Sequence, residues 1–294
     1  MIKIIALVSC HNRLEKTKKF LNSFYALDES KLFSLNLHLL DDGSNDGTGK
    51  YIEKYYPSVQ LYYGDGSYYW AGGMRYLYEQ VKNQYYDYLL MVNDDIVLDS
   101  KAIINTQPYI VKAKESSIAH AIVGNCVKPE NHTEHSYGGL KYIRLWFGYR
   151  FLMASLEDKI VDTMNMNFCL ISKEAVNAIG FLDPVFRHQR ADLDYGLRLR
   201  AYGGIIYNIT SPVCLCDRNE FESNSYSSNT SYFKKIRSIF SIKEQPVKER
   251  FVFYRRYGGW AWIIGFMAPY FTVFMPFFHT LCKRLSVRKT GRLL

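Results

Sequence analysis

The sequence predicts an α/β fold: a mostly parallel sheet flanked by helices, followed by a basic, aromatic-rich helical appendage. Three observations carry this. Apolar runs of strand length alternate with helix-period segments through the first hundred residues, as a parallel sheet with crossover helices requires. Two of those runs end in adjacent carboxylates, Asp41-Asp42 and Asn93-Asp94-Asp95, where an open α/β sheet faces its ligand crevice. Charge is also segregated. Residues 232–294 hold 13 Lys/Arg and 2 Asp/Glu, a charge of +11 in a chain whose net charge is +9, so the remaining body carries −2.

Ile4 to Val8 reads as a buried strand ending at Ser9-Cys10-His11-Asn12-Arg13. Leu14, Thr17, Phe20, Leu21 and Phe24 then recur at helical spacing. A strand over 35–40 leads into Asp41-Asp42-Gly43-Ser44-Asn45-Asp46-Gly47-Thr48. A helix near 48–56 and a strand near 59–63 follow, then a Gly-rich loop over 64–73 and a helix over 74–83. The strand at 88–92 ends in Asn93-Asp94-Asp95. Alone, that stretch is as consistent with a turn as with a metal site, since Asn and Asp favour turns. Oxygen-only ligands suit Mg²⁺ or Mn²⁺.

Two acidic strand ends on one crevice edge favour a ligand over coincidence. Asp41 and Asp42 would repel phosphate, but they accept hydrogen bonds from a base N–H or ribose hydroxyls. A metal at Asp95 would neutralise a diphosphate. This is the layout of a nucleotide-diphosphate site. The first turn lacks the G-x-G-x-x-G of dinucleotide enzymes, and no G-x-x-x-x-G-K-[ST] phosphate loop occurs. No nucleic-acid-binding motif is present. The six cysteines form no metal-ligand pattern, and Met1 runs straight into a strand without a signal peptide. Free thiols in a reducing cytoplasm are therefore expected.

The run from Ile4 to Asp99 resembles the nucleotide-binding half of a family 2 glycosyltransferase with the GT-A fold. The resemblance rests on Cys10-His11-Asn12-Arg13, the Asp41–Thr48 element, Gly64-Asp65-Gly66, Trp70-Ala71-Gly72-Gly73-Met74-Arg75 and Asn93-Asp94-Asp95. The Trp-x-Gly-Gly-Met-Arg form is similar to bacterial rhamnosyl- and galactofuranosyl-type transferases of surface polysaccharide synthesis. The resemblance implies that His11, Asn12, Arg13, Gly72, Gly73 and Asp94 line the nucleotide site. It implies that Asp41 and Asp42 hold uracil or thymine and ribose, that Asp95 is the metal ligand, and that Arg75 meets the diphosphate or sugar. Trp70 would line the sugar pocket; a core Trp and a solvated helix Arg remain the plain alternatives.

Beyond residue 100 the reading loosens. A strand lies within 118–127, and His132 and His135 fall in a polar loop whose H-x-x-H spacing lacks a third ligand. Ser172 caps a helix carrying Glu174 in its first turn, and Gly180 ends it. Asp192 reads as a helix N-cap, with Leu193, Leu197 and Leu199 packed behind. The segment His188–Arg198 resembles the family's acidic G-[ED]-D-x-D element, with Ala191 where many members have Glu. That implies Asp192 as the catalytic base, with Asp194 as a supporting carboxylate at the acceptor pocket, within reach of Arg198. One base and one displacement invert the anomeric centre, as in the family. Many members also carry a His after the strand at 205–209; here Val213–Asn219 has none, and Asp217 or Arg218 is the available substitute.

The expected organisation is a catalytic domain over 1–218, with nucleotide-binding (1–99) and acceptor (100–218) halves. A Ser/Asn-rich loop or linker follows over 219–247, then an apolar, basic tail over 248–294. Gly258 to Leu281 has no Asp, Glu, Lys or Arg and meets the length of a membrane span, but Pro269 and Pro276 should break or kink a helix, and basic residues flank both ends. Helices lying on the cytoplasmic face of the inner membrane, or a hairpin re-entrant into it, are expected, matching a polyprenyl-diphosphate-linked acceptor. Two competing readings are a sugar-phosphate nucleotidyltransferase and a catalytically inactive membrane-bound partner of another transferase. The first would need a basic Gly-rich loop after the first strand, which His11-Asn12-Arg13 does not supply.

Overall fold

A computed structural model describes residues 1–28, 31–116, 118–217, 237, 240–241 and 246–274. The chain divides into two compact units: Met1–Tyr142 with Phe151–Asn219, and Ile143–Arg150 with Glu220–Leu294.

In the first unit, β1 (Ile2–Cys10), β2 (Phe33–Asp41), β3 (Gln60–Tyr63) and β4 (Tyr88–Val92) are parallel, in the order β3-β2-β1-β4. The crossovers are α1 (Leu14–Phe24), α2 (Thr48–Tyr55) and α3 (Tyr69–Val81). Covered on both faces, β1 and β4 bury consecutive residues, which is why they read as unbroken apolar runs. The register pairs Cys10 with Asp41 and Leu7 with Met91, so the acidic strand ends share one edge.

The sheet is less parallel than the alternation implied. Beside β4 lies β12 (Phe168–Ser172), antiparallel to it, then β6 (His120–Lys128) and β13 (Ile205–Leu215), which are parallel to each other. Short β10 (Ile160–Val161) and β5 (Val97–Leu98) pair antiparallel with β13. The reversal arises because the chain returns from β6 through hairpin strands rather than a crossover helix. Those strands are β7 (Asn131–Tyr137) on β6, and the separate β11-β8-β9 sheet of β8 (Gly139–Leu145), β9 (Gly148–Met153) and β11 (Thr163–Met164). Packed helices are α4 (Gln107–Ser116), α5 (Lys173–Ile179) and α6 (Ala191–Tyr202). Ser172 caps α5 as expected, its Oγ accepting the Ala175 N–H at 3.1 Å.

Three expectations are corrected. First, the polar stretch at 131–135 is not a loop but part of strand β7, with an irregular register against β6 between Asn131 and His135. Among the described residues no cluster of three His, Cys, Asp or Glu is placed to hold a metal. Second, α3 starts at Tyr69, not Met74, so the Gly-rich loop is shorter. Gly73 allows this, because a Cβ there would lie 2.5 Å from Ser9 Oγ on β1. Gly73→Ala should therefore destabilise the protein by about 1–3 kcal/mol, read as a lower urea midpoint at unchanged slope. Third, the thiols are not all free. Cys126 and Cys214 form a disulfide across β6 and β13, where register shifts after Asn208 and Pro212 set them opposite each other. Their separation of 88 residues hid the pair from the sequence. Cys10, Cys169 and Cys216 are buried free cysteines, and Cys282 lies outside the described residues.

The second unit holds the tip of the β8–β9 hairpin, α7 (Val247–Tyr257) and α8 (Trp262–Phe274). Pro269 lies within α8 and does not end it. The carbonyl it would leave without a helical donor, Gly265 O, accepts Arg250 Nη2 at 2.6 Å. Arg250 Nε also donates to Phe266 O at 3.0 Å, and the guanidinium lies 4.5 Å over the Tyr254 ring, so one buried Arg stitches α7 to α8. No helix among the described residues is long and apolar enough to cross a membrane. Pro276, the rest of the 258–281 stretch beyond 274, and the Ser/Asn-rich loop at 219–231 lie outside the described residues.

Candidate active site

The site grows from the end of β4. The Asn93 N–H donates to Asn167 O at 3.2 Å, joining this turn to the segment before β12. Trp70 Nε1, in the first turn of α3, donates to Asn93 Oδ1 at 2.9 Å. Asp94 turns inward: Thr17 Oγ1 of α1 donates to its Oδ2 at 3.2 Å, and Arg13 Nη1 to its Oδ1 at 3.3 Å. Burial raises the Asp94 carboxyl to about 6; Arg13 pulls it back and Asp95 pushes it further up. Arg13 Nη1 also reaches Asp95 Oδ2 at 3.0 Å, with Lys16 Nζ at 4.0 Å.

The other Asp95 oxygen, Oδ1, is buried without a hydrogen-bond partner. An unpaired buried carboxylate oxygen is costly, and it marks where a cation is missing a ligand or a ligand a cation. Mg²⁺ or Mn²⁺ fits this oxygen. With few protein ligands nearby, water and phosphate oxygens would fill the remaining positions, the usual habit of Mg²⁺. Where the resemblance suggested a His, the chain instead brings Cys216 Sγ 3.8 Å from Asp95 O. Burial, then Asp95, pushes that thiol up to about 12. Asp217 is exposed, and Arg218 lies outside the described residues.

The β1 and β2 ends interlock. The His11 ring Nδ1 is 2.6 Å from Asp42 O and must donate there, which leaves Nε2 to accept Asn12 Nδ2 at 3.0 Å. The Asn12 N–H donates to Ser44 Oγ at 2.8 Å, and Asn12 Oδ1 accepts the Asn45 N–H at 2.8 Å. Asp46 Oδ2 accepts the Leu14 N–H at 2.9 Å, and its Oδ1 accepts Thr48 Oγ1 at 2.6 Å. Burial alone would raise Asp46, but the bonds from Thr48 and Leu14 outweigh it and hold the carboxyl below its ordinary range. Asp41 Oδ1 accepts the Ser44 N–H at 3.0 Å. Asp42 accepts three loop amides: Gly66 at 2.9 Å on Oδ1, and Tyr68 and Tyr69 at 3.1 and 3.2 Å on Oδ2. Much of the acidic motif thus builds the crevice wall itself.

Arg75 is engaged too. Its Nη1 donates to Phe186 O at 2.7 Å and Asp183 O at 3.3 Å, while the Gly72 N–H donates to Arg187 O at 3.3 Å. These bonds hold the 183–187 segment against the start of α3 and so position the approach to α6.

Helix α6 begins at Ala191, with left-handed Arg190 (φ 66°) at the cap position, so Asp192 lies in the first turn and is not the N-cap. Asp192 Oδ1 accepts its neighbour Leu193 N–H at 2.8 Å, and Asn165 Nδ2 donates to Oδ2 at 3.4 Å. Its carboxyl is raised by burial, against the lowering effect of those two donors. Because β12 runs antiparallel to β4 with Phe168 opposite Val92, Asn165 and Asn167 fall beside Asn93-Asp94-Asp95. Asp192 therefore joins the same sheet edge as Asp95, a proximity invisible in sequence.

Asp194 is fully buried and pairs with Arg198 as their four-residue spacing suggested, its Oδ2 2.7 Å from Arg198 Nε. Arg198 also donates to Ile179 O and Phe181 O at 2.8 and 2.9 Å, so the pair fastens α6 to the end of α5. Sequence reasoning missed Thr17, Asn165 and Cys216. Only the N-x-N before β12 gave a signal, as amides ahead of a strand end.

A solved mannosyltransferase from Pyrobaculum calidifontis, in complex with GDP-Man and Mn²⁺, matches with a TM-score of 0.53 at 11% identity, over 92% of this chain and 70% of that one. The likeness shows a shared fold, and the mainly parallel sheet flanked by helices fits GT-A. S. aureus TarS 1–349 matches with a TM-score of 0.49 at 14% identity, over 85% of this chain and 69% of that one. No curated protein sequence matches significantly. The model of glycosyl transferase family 2 matches residues 5–180. The chain belongs to glycosyl transferase family 2, whose members move a sugar from a nucleotide-sugar donor.

Proposed function

We propose that this enzyme transfers a sugar from a UDP- or dTDP-linked donor, with inversion, to a saccharide acceptor carried on a polyprenyl diphosphate. The product class is bacterial surface polysaccharide of the O-antigen or capsule type, with a rhamnosyl or galactofuranosyl donor group. The observation that carries the chemistry is Asp192, its carboxyl raised by burial, on the same sheet edge as the unpartnered oxygen of Asp95.

Asp192 takes the proton of the acceptor hydroxyl as its oxygen bonds to the anomeric carbon. The bond from that carbon to the donor phosphate breaks, and the nucleoside diphosphate leaves with the electron pair. Asn165 holds Asp192 in place, and Arg13 balances the charge of Asp94 and Asp95. A divalent cation held by Asp95, when bound, would stabilise the diphosphate as it departs. The interlocked turns of His11, Asn12, Asp41 and Asp42 shape the wall against which base and ribose would lie. The cytoplasmic face of the inner membrane is the proposed location, supported by the basic, apolar C-terminal region.

Thermal melting with UDP or dTDP, with and without Mn²⁺, tests the donor half of this reading. Ligands that bind only the folded state raise its midpoint. The wild type should gain stability from nucleotide and Mn²⁺ together, and Asp95→Ala should lose the Mn²⁺-dependent part. An equal Mn²⁺-dependent gain in Asp95→Ala would overturn the ligand assignment.

A further inference from the structure

We propose that the second unit carries a docking surface for anionic bilayers, formed by the hairpin tip at residues 145–147 together with Trp260 and the exposed side of α8. This deepens the membrane part of the proposed function and rests on it for the class of partner. It adds a segment more than a hundred residues away from the C-terminal tail, one that composition alone does not connect to it.

Trp146 is 69% exposed and Trp260 70%, with their rings edge-to-face at 5.0 Å. Ile263 and Ile264, 57% and 59% exposed, continue the apolar surface along α8, and Phe147 on the tip is 53% exposed. The tip is fastened to the helices by the Ala261 N–H donating to Trp146 O at 3.0 Å. Gly265 also leaves room for the Phe147 carbonyl, which a Cβ there would strike. A contiguous apolar patch displayed in this way marks an interaction site. Exposed Trp suits the headgroup level of a bilayer.

Charge selects the occupant. Among the described residues of the second unit every exposed charged side chain is basic, including Arg144 and Arg150 on the hairpin and Lys248, Arg255 and Arg256 on α7. The one acid there, Glu249, is 0% exposed. A second copy of this chain would bring the same positive field, which disfavours self-association. Anionic lipid matches it, at about 1 kcal/mol per basic residue near the surface. The 13 described residues of α8 span about 20 Å, short of the ~30 Å hydrocarbon core.

The test is co-sedimentation of the full-length protein with vesicles of phosphatidylcholine alone and of phosphatidylcholine mixed with phosphatidylglycerol. The wild type should partition onto the anionic vesicles and come off in high salt. Trp146→Ser should weaken that partitioning about tenfold. Arg144→Glu, which leaves the apolar surface intact, should weaken it severalfold. Brominated lipid should quench wild-type tryptophan fluorescence more than that of Trp146→Ser. Unchanged partitioning in both variants overturns the proposal. So does a concentration-dependent dimer that Trp146→Ser dissolves while lipid binding is absent throughout. Transfer to a soluble acceptor is followed in the same preparations. Intact transfer without vesicle binding overturns the surface and leaves the chemistry standing, whereas vesicle binding without transfer does the reverse.

Discussion

Asp192→Asn should lower kcat by about 10²–10⁴-fold, the contribution of a positioned general base. Asn preserves the shape and can still meet Asn165 and the Leu193 N–H, so the folded state and donor affinity should hold. The pH profile separates a base from a structural carboxylate. A base works ionised, so kcat/KM falls as pH drops through its pKa. Burial raises that pKa, so the acidic limb should lie above the ordinary carboxylate range, and the residual activity of Asp192→Asn should lack it. Asn165→Ala should shift the limb upward, because it removes a donor to the ionised form. Unchanged turnover in Asp192→Asn, with both proteins folded, would remove the base from this position.

Arg13→Gln should destabilise the protein by about 2 kcal/mol at neutral pH. Removing one partner of a fully buried pair costs about 3–5 kcal/mol, but the Arg13 side chain is 43% exposed and solvent screens part of the loss. Asp94 is only 4% exposed at its side chain, so without Arg13 it must either carry an unpaired buried charge or take up a proton. The effect is tied to pH. The folded-state pKa of Asp94, about 6, lies above its unfolded value, so the native state binds more protons between about 4 and 6. Stability from this group is therefore greatest in acid and falls as pH rises through 6. The difference between Arg13→Gln and wild type should shrink as pH drops below about 6, once Asp94 is neutral in both. Denaturant midpoints across that range measure it; a gap independent of pH would mean that Arg13 acts through packing instead.

The alternation of apolar runs identified the β3-β2-β1-β4 half of the sheet because those strands are joined by local crossover helices, and β1 and β4 bury both of their faces. The same logic failed at β12. An antiparallel strand of Phe168–Ser172 has the same apolar run as a parallel one, and only its partners reveal its direction. The stretch around His132 and His135 reads as a polar loop for a related reason: a strand with few apolar residues carries no alternation to find.

What the sequence determined by itself was which carboxylates stand at strand ends, since chain-local pattern places Asp41, Asp42, Asp94 and Asp95 there without knowledge of neighbours. The tertiary structure decided what each one does. It turned Asp42 onto the amides of the Gly-rich loop and Asp94 onto Thr17 and Arg13, and it paired Asp194 with Arg198. It left one Asp95 oxygen buried without a hydrogen-bond partner. It also brought Asp192 to the sheet edge that bears Asp95, through the pairing of β12 with β4 and the Asn165 hydrogen bond. Hydrogen-bond partners and desolvation are properties of the space around a side chain, and that space is assembled from distant parts of the chain.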